Sequence, residues 1–252
     1  MIEKGGELST ASDFMTNHPK GTFDLMFALN SGVSLTNYKN DRFELGKIFL
    51  MAQQEGFFKI KFHPDVYVFG VVFYAESFSK LFNLPLDEWA NTGKCVDDDL
   101  SEPYIDLYDQ LGNSKDDKQR VLHMDAFIKD QLSQVEFSFS KFDELIRSIR
   151  LGSGIVTLDQ LADEANMSPR TLQWKMKNTL GVGAKSFSKV VRFKQVLSFI
   201  SEHPEYDWQD VLYRCGYYDQ AHFIKDFKKY TGRTPGAFIQ NNEDLSSLFL
   251  ED

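Results

Sequence analysis

The 252-residue chain predicts an α+β protein of two domains, a small β-barrel or sandwich followed by an all-α domain with two helix–turn–helix units. Three observations carry that prediction. Short aromatic and β-branched runs crowd the first hundred residues, helical periodicity alone follows residue 141, and one helical pattern occurs twice, 51 residues apart. A hydrophobic fraction of 42% with 14% aromatics excludes a disordered chain and permits a sizeable core. No apolar run reaches the roughly 18–20 residues that cross a bilayer, so no membrane partner is expected. The opening residues lack the basic start and apolar stretch of a secretory signal. Cys95 and Cys215 stand far apart, as reduced thiols would, and the expected location is the cytoplasm.

In order along the chain, "TFDLMFAL" (22–29), "GKIFLMA" (46–52), "FFKIKF" (57–62) and "VYVFGVVF" (66–73) read as strands bounded by Gly, Pro, Asn and Asp turns. The last is apolar throughout, which predicts cover on both faces. "AESFSKLF" (75–82) begins the helical signals. Within 114–132, Val121, Leu122, Ala126, Phe127 and Leu132 are expected on one helical face, and "SFSKFDELIRSI" (138–149) starts another amphipathic helix. Helices are then predicted near 157–165 with Thr157 as N-cap, 168–181, 186–202, 207–216 and 219–232, with "TPGAFIQ" closing the domain. The resulting division is a β-rich domain at 1–110, a helical linker at 111–138, the double helix–turn–helix domain at 139–241 and an acidic tail at 242–252.

The repeat is explicit. Ser168 and Asp219 are good N-caps. Four residues on stand Leu172 and Phe223, eight on Met176 and Phe227, and thirteen on the terminating Gly181 and Gly232. Asn166 and Gly216 precede the caps as the residue types that accept a left-handed turn. At about 100° per residue, Leu172 and Met176 point inward, while Arg170, Trp174, Lys177 and Asn178 point out. In the second copy Phe223, Phe227 and Tyr230 form the buried stripe. Ala221, His222, Lys225, Lys228 and Lys229 are expected opposite it, with Gln220 at the tip.

Charge points the same way. Residues 1–150 hold 16 Lys and Arg against 24 Asp and Glu, a net of −8, whereas residues 151–240 hold 12 against 9, a net of +3. The tail from 241 adds four acids, and the chain stands at −9. One basic helical segment in an acidic molecule suits a polyanion. A helix held by its own core, with Gln and Lys at its N-terminal end, suits a major groove: Lys and Arg pair with guanine, Gln with adenine. Two such units on one face would meet a duplex about one turn apart, roughly 34 Å. The expected DNA-contacting residues are Arg170, Gln173, Trp174, Lys177, Gln220, Ala221, His222, Lys225 and Lys229.

"LADEANMSPRTLQ" and "GYYDQAHFIKDFKKYTGRTPGAF" resemble the AraC/XylS family of bacterial transcription regulators, whose DNA-binding domain joins two helix–turn–helix units by a long helix. "HPKGTFDLMFAL", "GVVFYAESFSKLFNLPLDEW" and the acidic "VDDDL" resemble the cupin-like sensor domain of one branch of that family. The resemblance implies a sequence-specific DNA-binding regulator, an activator by family tendency, with double-stranded DNA and RNA polymerase as partners. A small-molecule effector and a homodimer are further expectations of that reading, and no cofactor is expected.

Several positions depart from the family. Trp174 stands where Arg is common, Lys175 where an apolar residue is, Lys225 where Arg is usual and Ala75 where related sensor domains show Pro. The opening strand or two of such domains are expected to be missing. Arg192 matches a family position for which a structural tie and a phosphate contact both stand open. His18, His63, His123, His203 and His222 lack the close spacing of a metal site, so no metal is expected. "GVGAKS" (181–186) has Ala184 where a phosphate loop needs glycine, and no catalytic constellation is visible. The rival reading is a cupin-type small-molecule or metal-binding enzyme with an accessory helical domain, against the expectation of no enzymatic role.

Overall fold

The computed structural model describes residues 14–82, 86–95, 102–136, 138–152, 154, 157–203, 205–217 and 219–240. The N-terminal half is two antiparallel four-stranded sheets laid face to face. One runs in the order β1 (Met15–Asn17), β6 (Phe58–Phe62), β3 (Val33–Asn37), β4 (Arg42–Leu45). The other runs β7 (Tyr67–Tyr74), β2 (Thr22–Leu29), β5 (Ile48–Met51), β8 (Gly93–Cys95). The β-rich, cupin-like half is therefore present as an open sandwich and not as a closed barrel, a form compatible with a jelly roll.

Strand alternation explains the layering. From β2 and β5, Phe23, Leu25, Phe27, Ile48 and Leu50 turn to the helices, while Ala28, Phe49 and Met51 turn to Val33, Leu35, Phe58 and Ile60 of the other sheet. Among the described residues the second sheet is thus covered on both faces and the first on one only. β7 departs from expectation: it is an edge strand, partly exposed for much of its length, with Tyr74 54% exposed. The strands buried on both faces are β5 and, despite its polar Asp24, β2. Gly70 lies opposite Met26, where a Cβ would meet the Met26 sulfur and the Leu25 carbonyl.

α1 (Ala75–Leu81) and α2 (Leu86–Trp89) follow β7, with β8 after α2. α3 (Glu102–Gly112), which is not among the helices expected from the sequence, pairs with α4 (Asp117–Ser133). The buried stripe of α4 is Met124 and Phe127, whereas Leu122 is 67% exposed. α4 packs through one narrow face, with Phe127 edge-on to Tyr104 at 5.0 Å, so the broader apolar face expected for it does not form. "VDDDL" and the acidic tail from 241 lie outside the described residues.

α5 (Lys141–Leu151) to α11 (Pro235–Ile239) build the helical half, with α6 (Leu158–Glu164), α7 (Pro169–Leu180), α8 (Ala184–Glu202), α9 (Trp208–Arg214) and α10 (Gln220–Thr231) between. Thr157 caps α6 through a reciprocal bond with Gln160, and Ser140 caps α5 with Asp143 in the same way. One apolar cluster runs from Phe23 through α1 and α5 to Leu172, Met176 and Val191, so the first helical unit shares its core with the sheets. The second unit has its own, built from Val190, Phe193, Val211, Tyr217, Phe223, Phe227 and Phe238.

Two ion pairs tie α1 to α5: Arg150 Nη2 to Glu76 Oε1 at 2.5 Å and Lys80 Nζ to Asp143 Oδ2 at 2.8 Å. Burial pushes the Asp143 carboxyl up, but the bonds from Lys80 and Ser140 outweigh it and leave it below the usual range. A depressed carboxyl contributes its stability above its unfolded pKa of about 4 and loses it as pH falls further.

Gly181 ends α7 with φ at 81°, and a Cβ there would meet the Leu86 carbonyl. Gly181→Ala combines backbone strain with a collision against main chain, and should cost on the order of 2 kcal/mol. Gly232→Ala, equally left-handed, would meet only the Phe57 ring at 3.1 Å. Thermal melts should show the larger drop for Gly181→Ala.

Candidate nucleic-acid interface

The two units repeat in structure as in sequence. Ser168 Oγ accepts from the Thr171 amide at 3.1 Å, and Asp219 Oδ1 from the His222 amide at 2.7 Å. Gly181 and Gly232 close their helices at φ 81° and 76°, and Asn166 and Gly216 turn at φ 52° and 66°. Leu172, Met176 and Leu180 anchor α7; Phe223, Phe227 and Tyr230 anchor α10. α8 joins the units. From it Arg192 donates Nη1 to the Gly216 carbonyl at 3.2 Å and Nη2 to the Gly154 carbonyl at 3.0 Å, with Tyr217 beneath. Arg192 is thus a structural tie between the α5–α6 connection and the turn of the second unit.

On α7, Arg170, Trp174 and Lys177 are exposed, Trp174 to 65%. Gln173 is half-buried and leans on Gly183 at the start of α8. Lys175 lies 4.3 Å over the Phe142 ring, which accounts for a lysine where an apolar residue is usual. On α10, Gln220, Ala221 and Lys225 are exposed. His222 and Lys229 are half-buried, unlike the fully outward placement expected for them. His222 Nε2 lies 3.3 Å from Asp226 Oδ2 and 3.1 Å from Lys189 Nζ. Lys189 also reaches Asp226 at 3.1 Å, so buried Asp226 pins α10 to α8.

Burial beside Asp226 raises the hydroxyl pKa of both Tyr217 and Tyr230, and burial pushes the Cys215 thiol to about 11, so all three are neutral core groups. Among the described residues no group of three or more His, Cys, Asp or Glu side chains is placed to hold a metal ion. Among them, too, no helix is long and apolar enough to cross a membrane.

Sequence periodicity could not show what α10 faces. The Phe57 amide donates to the Lys229 carbonyl at 3.3 Å, and His18 Nδ1 lies 2.9 Å from the Tyr230 carbonyl. Glu55 accepts from Ser186 at the start of α8. Lys229 Nζ sits 5.4 Å over the Tyr38 ring. Tyr38 and Phe57 thereby form the far wall of a cleft of about 570 Å³, whose near wall is Ala221, Ile224, Lys225, Lys228 and Lys229.

Residues 161–241 match the family model described as a helix-turn-helix domain, and residues 7–95 match one described as a domain of unknown function, DUF6597. No curated relative matches the chain. An apo lysine-to-alanine variant of ToxT from Vibrio cholerae strain SCE256 is 11% identical, over 91% of this chain and 94% of its own, at a TM-score of 0.50. A second ToxT structure from Vibrio cholerae is 14% identical over 91% and 98% of the two chains, at 0.46. Wild-type ToxT of strain SCE256 bound to unsaturated fatty acid is 12% identical over 90% and 91%, at 0.47. The first likeness establishes a shared fold. A β-rich domain ahead of paired helix–turn–helix units defines a DNA-binding transcription regulator. Residues 161–241 are similar to the helix-turn-helix domain of such regulators.

Proposed function

We propose that α7 and α10 enter successive major grooves of one duplex. Arg170, Gln173, Trp174 and Lys177 would approach from the first helix, and Gln220, Ala221, His222, Lys225 and Lys229 from the second. The carrying observation is the duplicated design: each helix is fixed by a buried apolar stripe and leaves polar and cationic side chains at its exposed N-terminal half. Lysine and arginine contacts to phosphate supply affinity, and groove contacts supply choice. Trp174 offers a flat apolar face for sugar or thymine methyl in place of a bidentate guanine contact. His222 and Lys229 hold α10 in place, and base contact falls to Gln220, Ala221 and Lys225.

On this reading residues 1–110 form the sensor, 111–138 the linker, 139–241 the DNA-binding domain and 242–252 the tail. The chain is an activator in the cytoplasm, working through RNA polymerase as a monomer or homodimer and with no enzymatic role. The cleft gives the sensor a route to DNA. Apolar Tyr38, Phe57 and Ile224 with three lysines suit an effector with an apolar body and an acidic head. Such a molecule would compete for Lys225.

Binding of full-length protein to duplex DNA at a series of salt concentrations tests the reading. Lys225→Gln should weaken binding about ten-fold and lower the salt slope by about 1, with an unchanged melting temperature. Wild-type affinity and slope for that variant would overturn it.

A further inference from the structure

We propose that the outer face of the β1–β6–β3–β4 sheet is a second DNA-backbone contact surface, continuous with the exposed face of α10. The inference rests on the reading of α10 as a groove-facing helix, and it concerns a part of the chain outside both helix–turn–helix units.

Strand register places the charges. Phe58 and Ile60 are buried against the second sheet, so Lys59 and Lys61 of β6 stand on the opposite, exposed face. Lys59 lies opposite Thr16 and Thr36, and Thr36 opposite Arg42, so Lys59 and Arg42 flank one row. Lys61 lies opposite Ser34. Lys39, in the β3–β4 turn, completes a cationic set of four. Of the acids there, Asp41 already accepts from Asn37 Nδ2 at 2.9 Å, and Glu44 stands opposite Ser34 at the β4 edge. Asp65 lies beyond β6, in the turn leading to β7. The N-terminal half is acidic as a whole, yet this face is not.

Continuity with α10 is a matter of contact. The Tyr38 ring carries Lys39 on one approach at 5.6 Å and Lys229 of α10 on another at 5.4 Å. The Phe57 amide holds the Lys229 carbonyl, and Lys59 follows two residues along the same segment. Lysines 225, 228, 229, 39, 59 and 61 thus form one track from the helix onto the sheet. Lys59 and Lys61, two residues apart on a strand, are spaced about 6.6 Å, close to two phosphate steps of about 3.4 Å each along the axis of one DNA strand. A duplex leaving the groove of α10 would pass its backbone over that spacing. Half-buried Thr16 and Thr36 beside Lys59 are small enough to leave close approach open, and their hydroxyls can donate to phosphate.

The test uses the full chain and a random-sequence duplex of about 40 base pairs. Lys59→Gln/Lys61→Gln should lower the slope of log K against log salt by about 2 and weaken binding about ten-fold or more at 0.1 M salt. Lys115→Gln/Lys118→Gln, the same charge change on exposed lysines at the start of α4, should leave the slope at the wild-type value. A sheet variant no different from that control, while Lys225→Gln still lowers the slope, overturns this inference alone. If Lys225→Gln is silent as well, the reading beneath it falls too.

Discussion

Phe227→Ala is expected to destabilise the second helix–turn–helix unit by about 3–5 kcal/mol and to abolish DNA binding at physiological temperature. Phe227 is fully buried, and its ring meets Phe193 at 5.6 Å, Phe223 at 5.5 Å and Phe238 at 5.3 Å, all edge-on. It therefore joins α8, α10 and α11, and truncation removes three ring contacts and leaves a cavity none of those helices can collapse into. The second core is separate from the first, so the loss is local. Thermal unfolding followed by far-ultraviolet circular dichroism should show a new early transition for about one helical unit. The sheets should melt as in the wild type. A single unshifted transition would contradict the assignment of two cores. Lys225→Gln supplies the contrast: it should lower DNA affinity with no early transition, because Lys225 is exposed.

The helical half was legible because its signals are local. Caps at Ser168 and Asp219, glycines at 181 and 232 and anchors every four residues each act within a few turns of chain, and the structure reproduces them residue by residue. The sheets were half legible. β2, β5, β6 and β7 carry aromatic or β-branched runs, whereas β1 and β8 are three residues long and exist by pairing with distant β6 and β5, and β4 is a four-residue edge strand held by its neighbour β3. α3 was legible as well, since Tyr104, Leu107, Tyr108 and Leu111 of "EPYIDLYDQLG" stand at i, i+3, i+4 and i+7, and it was overlooked between the strands and the helix from residue 114. The placement of the candidate site was the least legible part. Spacing places His222 and Asp226 at i,i+4 on one helix, but nothing within residues 216–240 could show that Lys229 leans on Tyr38 or that Lys189 of α8 joins that pair. The first contact depends on how the two halves dock, the second on how α8 crosses α10. Hydrophobic pattern fixes which face of a helix is buried, but not which distant segment lies beside its exposed face.

How firmly the halves dock can be read from Arg150. Its Nη2 meets Glu76 at 2.5 Å and its Nε the same carboxylate at 3.2 Å, and the guanidinium lies 3.9 Å from the Tyr74 ring. Glu76 is only 2% exposed, on α1, beside the Phe78 that stacks on Phe23 of the sheet. Removing Arg150 strands a buried carboxylate, so Arg150→Ala should cost about 3 kcal/mol, and more than Glu76→Ala, which leaves the cation partly in water. The paired replacement Arg150→Met/Glu76→Leu fills the same space without charge and should recover most of that loss. Chemical denaturation of the three variants checks the order. A double variant as unstable as Arg150→Ala would mean that the charges, and not the packing between α1 and α5, hold the first unit to the sheets. Recovery would leave docking to the shared apolar core, and DNA affinity should then return with stability, because neither residue lies on the face of α7 or α10.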